Sequence, residues 1–228
     1  MRDRFAALLP FLFLALLAVS RWPGFLPPNF SAVYALMFCA GALFHRRGGL
    51  AVPLALLVVT DVALNFYYQF AKGLAVWTPS SLIFLSFNYI AYAGLFLVGR
   101  AVRPLADLLR QHFGGIGRIG RWLVLVSGGV MAAVLFYLIT NTASWLFNPF
   151  GNSEYPRTIA GWITALTTGV KGFPQAWEFF RNSLLSSGLF AALFAGAWEV
   201  TAAESPADKG QEEPASAENT PPPEESPA

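Results

Sequence analysis

The chain has 228 residues, 55% hydrophobic and 15% aromatic but only 12% charged, with a formal net charge of +2 and a mean hydropathy of +0.51. Soluble domains carry roughly 25% charged residues, so the composition excludes an ordinary soluble globule and indicates an integral membrane protein in contact with a lipid bilayer, with no support for nucleic-acid binding. Cys39 is the only cysteine, and His45 and His112 have no partners at ligand spacing, so an intrachain disulfide is excluded and no metal or other cofactor is expected.

A spanning helix needs about 20 mostly apolar residues, with about 17–25 tolerated. Six stretches come close enough to qualify: residues 5–19, 30–44, 50–70, 81–98, 122–147 and 176–200. The expected fold class is therefore all-α, a membrane bundle of about six helices over residues 1–201. The first two stretches are short for a perpendicular crossing, and the fifth is long enough to tilt or to break near Thr140-Asn141.

Arg2 and Arg4 precede the first stretch, which ends Ala18-Val19-Ser20. That pattern also fits a cleaved signal peptide, which would leave the other five spans oriented alike. With the N-terminus in the cytoplasm, the inner loops hold Arg2, Arg4, Arg46, Arg47, Arg100, Arg103, Arg110, Arg118 and Arg121. The outer loops then hold only Arg21, Lys72, Arg157 and Lys171, and the positive-inside rule selects this orientation.

The third stretch carries Asp61 in its middle, where insertion of a carboxylate costs about 2.5–3.5 kcal/mol. Asn65 and Tyr68 follow at i+4 and i+7, on the same helical face. Asn88 and Tyr92 repeat the four-residue spacing in the fourth span, Tyr137, Asn141 and Trp145 in the fifth, and Glu178, Asn182 and Ser186 in the sixth. Because successive helices alternate in direction, Asn65, Asn141 and Asn182 fall in the outer half of the membrane, with Asp61 and Asn88 near its middle. Asn29 stands at the outer mouth of the second span. Unpaired amides are costly in hydrocarbon, so two uses remain open for these stripes: the lining of a polar cavity open to the outside, or hydrogen bonds between helices. Trp145 and Tyr155 suit either a ligand-stacking role or the interfacial aromatic belt.

Between the fourth and fifth spans, Val102, Leu105, Leu108, Leu109 and Phe113 share one helical face, as in a helix lying on the membrane surface. Gly115-Ile-Gly117-Arg-Ile-Gly120 matches the dinucleotide fingerprint by letter. Without a preceding strand it reads as a flexible connector. No Gly-x-x-x-x-Gly-Lys phosphate loop occurs, so any ATP hydrolysis belongs to another chain.

The outer loop from Tyr155 to Pro174 contains an apolar segment around Gly161-Trp162, suited to a short helix that caps a cavity or packs against the bundle. Glu178 and Arg181 are spaced for an i, i+3 ion pair. Gly188, Ala192 and Gly196 form a small-residue stripe for close helix approach. Residues 202–228 turn to Glu, Pro, Ser and Ala, a composition expected to form a disordered cytoplasmic tail.

The segment from Pro28-Asn29-Phe30-Ser31 to Gly41, Pro53 with Asp61, Thr140-Asn141 with Trp145, Tyr155-Pro156-Arg157-Thr158 with Gly161, and Phe173-Pro174 with Asn182 resemble an uncharacterised bacterial family of small membrane proteins assigned to transport. That family is distantly similar to the substrate-binding S components of energy-coupling-factor transporters. The resemblance spans about residues 25–196. It implies a non-enzymatic subunit of the plasma membrane that captures a small molecule outside and passes it to a membrane coupling subunit driven by ATPases on separate chains. Where the family has Gly-Asp after the Asn of the last span, this chain has Ser186-Ser187, which leaves Asp61 as the one acid expected deep in the membrane. The alternative, from a different class, is a structural or assembly protein whose polar stripes hold helices and partners together. An intramembrane enzyme would want a nucleophile, His or metal beside Asp61, and the spans offer no such set.

Overall fold

A computed structural model describes residues 2–44 and 49–203, and every regular element among them is helical. They are α1 (Arg2–Ser20), α2 (Val33–Leu43), α3 (Ala51–Phe66), α4 (Pro79–His112), α5 (Gly114–Phe147), α6 (Ile159–Leu166) and α7 (Ala176–Ala203), with a π-helical turn, Tyr67–Ala71, continuing α3. The expected tail lies, beyond residue 203, outside the described residues, as do Arg46 and Arg47.

Four helical stretches are long and apolar enough to cross a membrane: Ala51–Ala71, Pro79–His112, Gly115–Phe147 and Ala176–Thr201. The six expected crossings are thus reduced to four that meet the length requirement. In α1 the apolar stretch is Phe11–Ser20, and α2 has 11 residues. Eleven residues rise about 16 Å, roughly half the hydrocarbon thickness of a bilayer. All of α2 is buried, enclosed chiefly by α4, α5 and α7. A helix apolar on every side can be wrapped by protein as well as by lipid, and hydropathy does not separate the two.

Close approach to α2 depends on missing side chains. A Cβ on Gly41 would stand 2.0 Å from the Phe96 carbonyl oxygen of α4, and one on Gly99 of α4 would stand 2.0 Å from that of Phe38 in α2. Gly128 of α5 accepts the Phe38 ring in the same way. The C-terminal end of α2 then exposes carbonyls with no helical partner. Arg103 of α4 supplies one, donating from Nε to Ala42 O at 2.9 Å and from Nη2 to Gly41 O and Phe44 O at 2.5 Å. The guanidinium charge also complements the negative end of the helix dipole.

Around this centre α5 and α7 pack through small residues, and the Gly188–Ala192–Gly196 stripe faces α5. The Trp122 indole donates to Ala192 O at 3.0 Å, and Ser187 Oγ donates to Gly129 O at 2.6 Å. At the same end of the bundle as Arg103, buried Arg121 of α5 pairs with Glu199 of α7 and, at 3.3 Å, with Asp107 of α4. Glu199 is therefore a second buried acid, so Asp61 is not alone in being withdrawn from solvent. The segment 100–121 forms no separate surface helix. It continues α4 and α5, whose junction is Phe113. The glycine run is the corner between them: a Cβ on Gly117 would meet Leu109 O at 2.1 Å.

Gly99→Ala should destabilise the bundle by about 1–3 kcal/mol through overpacking, read as a lower unfolding midpoint in detergent. Gly94→Ala on the same helix, where a Cβ meets nothing within 4 Å, should leave the midpoint unchanged.

Candidate functional site

Beyond the N-terminus of α2 the surrounding helices enclose a cavity of about 580 Å³, within the roughly 300–1,000 Å³ of small-molecule sites. The loop joining α1 to α2 forms one wall, α4 contributes Asn88 and Tyr92, α5 contributes Phe136 and Asn141, and α7 contributes Ser183. Tyr92 and Phe136 stack at 5.0 Å between centroids and Tyr137 and Phe180 at 4.4 Å, so aromatic faces and edges bound the space. The loop wall, Trp22-Pro23-Gly24-Phe25-Leu26-Pro27-Pro28, is stiffened by three prolines whose φ is fixed. It ends at Asn29, which adopts φ 61°, a left-handed conformation Asn tolerates better than most residues.

Asp61 is buried but is not among the lining residues. Its Oδ1 accepts from Arg21 Nη2, and its Oδ2 accepts the Tyr89 hydroxyl at 2.6 Å. The carboxylate is thus matched by a cation from the α1–α2 loop and a phenol from α4. Both oxygens are engaged within the protein, and Asp61 stands behind the lining instead of in it. At the cavity itself stands Arg21, the one charged residue among the described residues that line it. Arg21 Nε is buried without a hydrogen-bond partner.

Of the expected site residues, Asn29, Asn88 and Asn141 line the cavity, whereas Asp61, Asn65, Trp145, Tyr155 and Asn182 do not. Within the α3 stripe it is Tyr68, past the start of the π-turn, that reaches the cavity. The expected α7 stripe is displaced around the helix: Phe179 and Ser183 face the cavity, while Asn182 donates to Pro28 O at 2.9 Å and pins the loop from outside. Trp145 donates to Pro156 O at 2.8 Å, and Trp162 of α6 donates to Thr142 Oγ1 at 2.9 Å. These bonds seat α6 against α5, where none of its residues lines the cavity. The cap is the α1–α2 loop instead. Arg181 lies over the Trp177 ring at 5.4 Å and makes no ion pair with Glu178. In the loop before α6, backbone N–H groups of Glu154 itself and of Lys171 hold the Glu154 carboxyl below the usual range.

Arg21 is the cavity residue that charge counting misses, because a loop arginine reads as a topology signal. Its one sequence cue was position: it directly follows an apolar helix and precedes a proline-rich turn, so the side chain is able to fold back into the bundle. Among the described residues no three His, Cys, Asp or Glu side chains gather at metal-binding distance.

A family of unknown function, DUF6580, matches residues 2–208, and the chain belongs to it. No curated protein and no solved structure matches the chain.

Asp61→Ala should destabilise the protein by about 3–5 kcal/mol, since it leaves Arg21 charged and uncompensated in a largely buried position. The double variant Arg21→Met/Asp61→Asn should recover most of that loss, both measured by thermal unfolding in detergent.

Proposed function

We propose that this member of a family of unknown function is the substrate-binding membrane subunit of a small-molecule uptake transporter, similar in role to the S components of energy-coupling-factor transporters. The observation that carries the reading is the cavity of about 580 Å³ with stacked aromatic walls and amide and hydroxyl groups directed along three helices. The Asn88 amide makes no hydrogen bond among the described residues, and Asn141 uses its Nδ2 on Tyr137 O, keeping its carbonyl oxygen for a ligand. Pockets of this mixed character, apolar walls with a few placed polar groups, are the general form of small-molecule sites.

The membrane arrangement follows from the same frame. The two shorter helices α1 and α2 add two passes to the four long ones, making six. The end of the bundle bearing Arg100, Arg103, Arg110, Arg118 and Arg121 faces the cytoplasm of a bacterium, together with both termini, by the positive-inside rule. The cavity then opens to the outside. With no phosphate loop in the sequence, energy would come from ATPases on separate chains, reached through a membrane coupling subunit.

The reading of a structural or assembly protein has one observation in its favour: Asn182 and Trp145 spend their donors on backbone carbonyls of Pro28 and Pro156. Asn88 separates the two readings. A binding subunit purified from native membranes should carry a small molecule detectable by mass spectrometry, and Asn88→Ala should weaken its retention about three- to tenfold, the worth of one hydrogen bond. The unfolding midpoint of the empty protein should not move. An assembly protein would carry no ligand, and Asn88→Ala would then alter neither property.

A further inference from the structure

The geometry points to an organic monocarboxylate as the ligand class, with Arg21 as the residue that binds its carboxylate and Asp61 as the counter-ion that positions Arg21. This rests on the binding reading above and narrows it.

The charge of the lining is one-sided. Among the described residues that line the cavity, Arg21 is the one charged group and no acid joins it. Asp61 stands behind the guanidinium, with Oδ1 on Arg21 and Oδ2 on Tyr89. A cationic ligand would therefore face the guanidinium with no carboxylate within the lining to receive it. An anion meets a fixed cation, together with the donors of Asn88 and the hydroxyl of Tyr92, which lies beside Arg21.

Arg21 Nη2 goes to Asp61, while Nε is enclosed by protein. Guanidinium groups bind carboxylates through paired N–H donors in a fixed fork, and Arg21 is the lining residue able to offer such a fork to the cavity. Asp61 holds the group at one edge and limits its remaining freedom, the condition for tight recognition without ordering cost at the moment of binding. The shared counter-ion also sets the ligand's charge. With one guanidinium already balanced in part by Asp61, a phosphate dianion would add uncompensated negative charge to a low-dielectric site, and among anions a monoanion adds the least. The stacked pairs Tyr92–Phe136 and Tyr137–Phe180 suit a planar or apolar body behind the carboxylate.

The test uses the full-length protein in detergent, with thermal shift and isothermal titration against benzoate, indole-3-acetate and hexanoate. Benzamide, benzylamine and phenyl phosphate serve as the neutral, cationic and dianionic counterparts. We expect at least one carboxylate to bind tenfold or more tightly than the amide, amine and phosphate. In Arg21→Met/Asp61→Asn, which removes the cation without stranding a charge, that preference should fall to less than threefold. Arg21→Lys should weaken carboxylate binding while keeping its sign. Preference for the amide, amine or phosphate would overturn the ligand class and leave the binding reading standing. So would an undiminished carboxylate preference in the double variant, by removing Arg21 from its role. If no probe binds and no small molecule accompanies the protein from native membranes, both the class and the binding reading fall.

Discussion

The bundle is organised around a helix that touches almost nothing but other helices. α2 has 11 buried residues, and its placement is possible only because its last carbonyls are taken by the Arg103 guanidinium. An unsatisfied carbonyl in an apolar interior costs several kcal/mol, so three of them left open would offset much of what burying the helix contributes. Glycines at 41, 99 and 128 then let neighbouring backbones and the Phe38 ring approach within contact. The remaining helices are arranged by the surface that α2 presents.

Charge in this protein is kept in matched sets at two levels of the bundle. At one end Arg121 gathers Asp107 and Glu199, joining α4, α5 and α7. At the other Arg21 and Asp61 join the α1–α2 loop to α3, with Tyr89 of α4 completing the carboxylate's bonds. The second set matters more to its elements, because α3 buries only Pro53, Leu57 and Asp61. Burial of ion pairs adds little net stability compared with apolar substitutes, but it fixes which residues meet. Here it sets the register of α3 against the loop that covers the cavity.

Much of the architecture is readable from hydropathy, since long apolar runs become α3, α4, α5 and α7. At 30–44 hydropathy is ambiguous for a physical reason: a helix surrounded by protein and one surrounded by lipid present the same apolar residues, and α2 has 11 residues, all buried. Site residues divide along similar lines. Four-residue spacing identifies Asn88 with Tyr92 and Asn141 with Tyr137, because each pair lies on one face of a straight α-helix. It misplaces Asn182, where Ser183 one position on faces inward, and Asn65, where Leu64 one position earlier lines the cavity. The cost of Asp61 is legible from its place in an apolar run. The partner, Arg21, is 40 residues away, and long-range pairing of that kind leaves no periodic trace.

The shortness of α2 has a further consequence. The cavity is the volume that α2 would occupy if it matched its neighbours, 11 residues against the 34 of α5. One additional helical turn at its N-terminus, about 5.4 Å, would push the Pro27-Pro28-Asn29 corner into that volume without altering any wall residue. Capacity in such a fold is adjustable by insertion or deletion at a single junction, independently of the side chains that line the cavity. Its volume and its chemistry can therefore diverge separately in evolution, the first through indels near residue 30 and the second through point changes on α4, α5 and the α1–α2 loop.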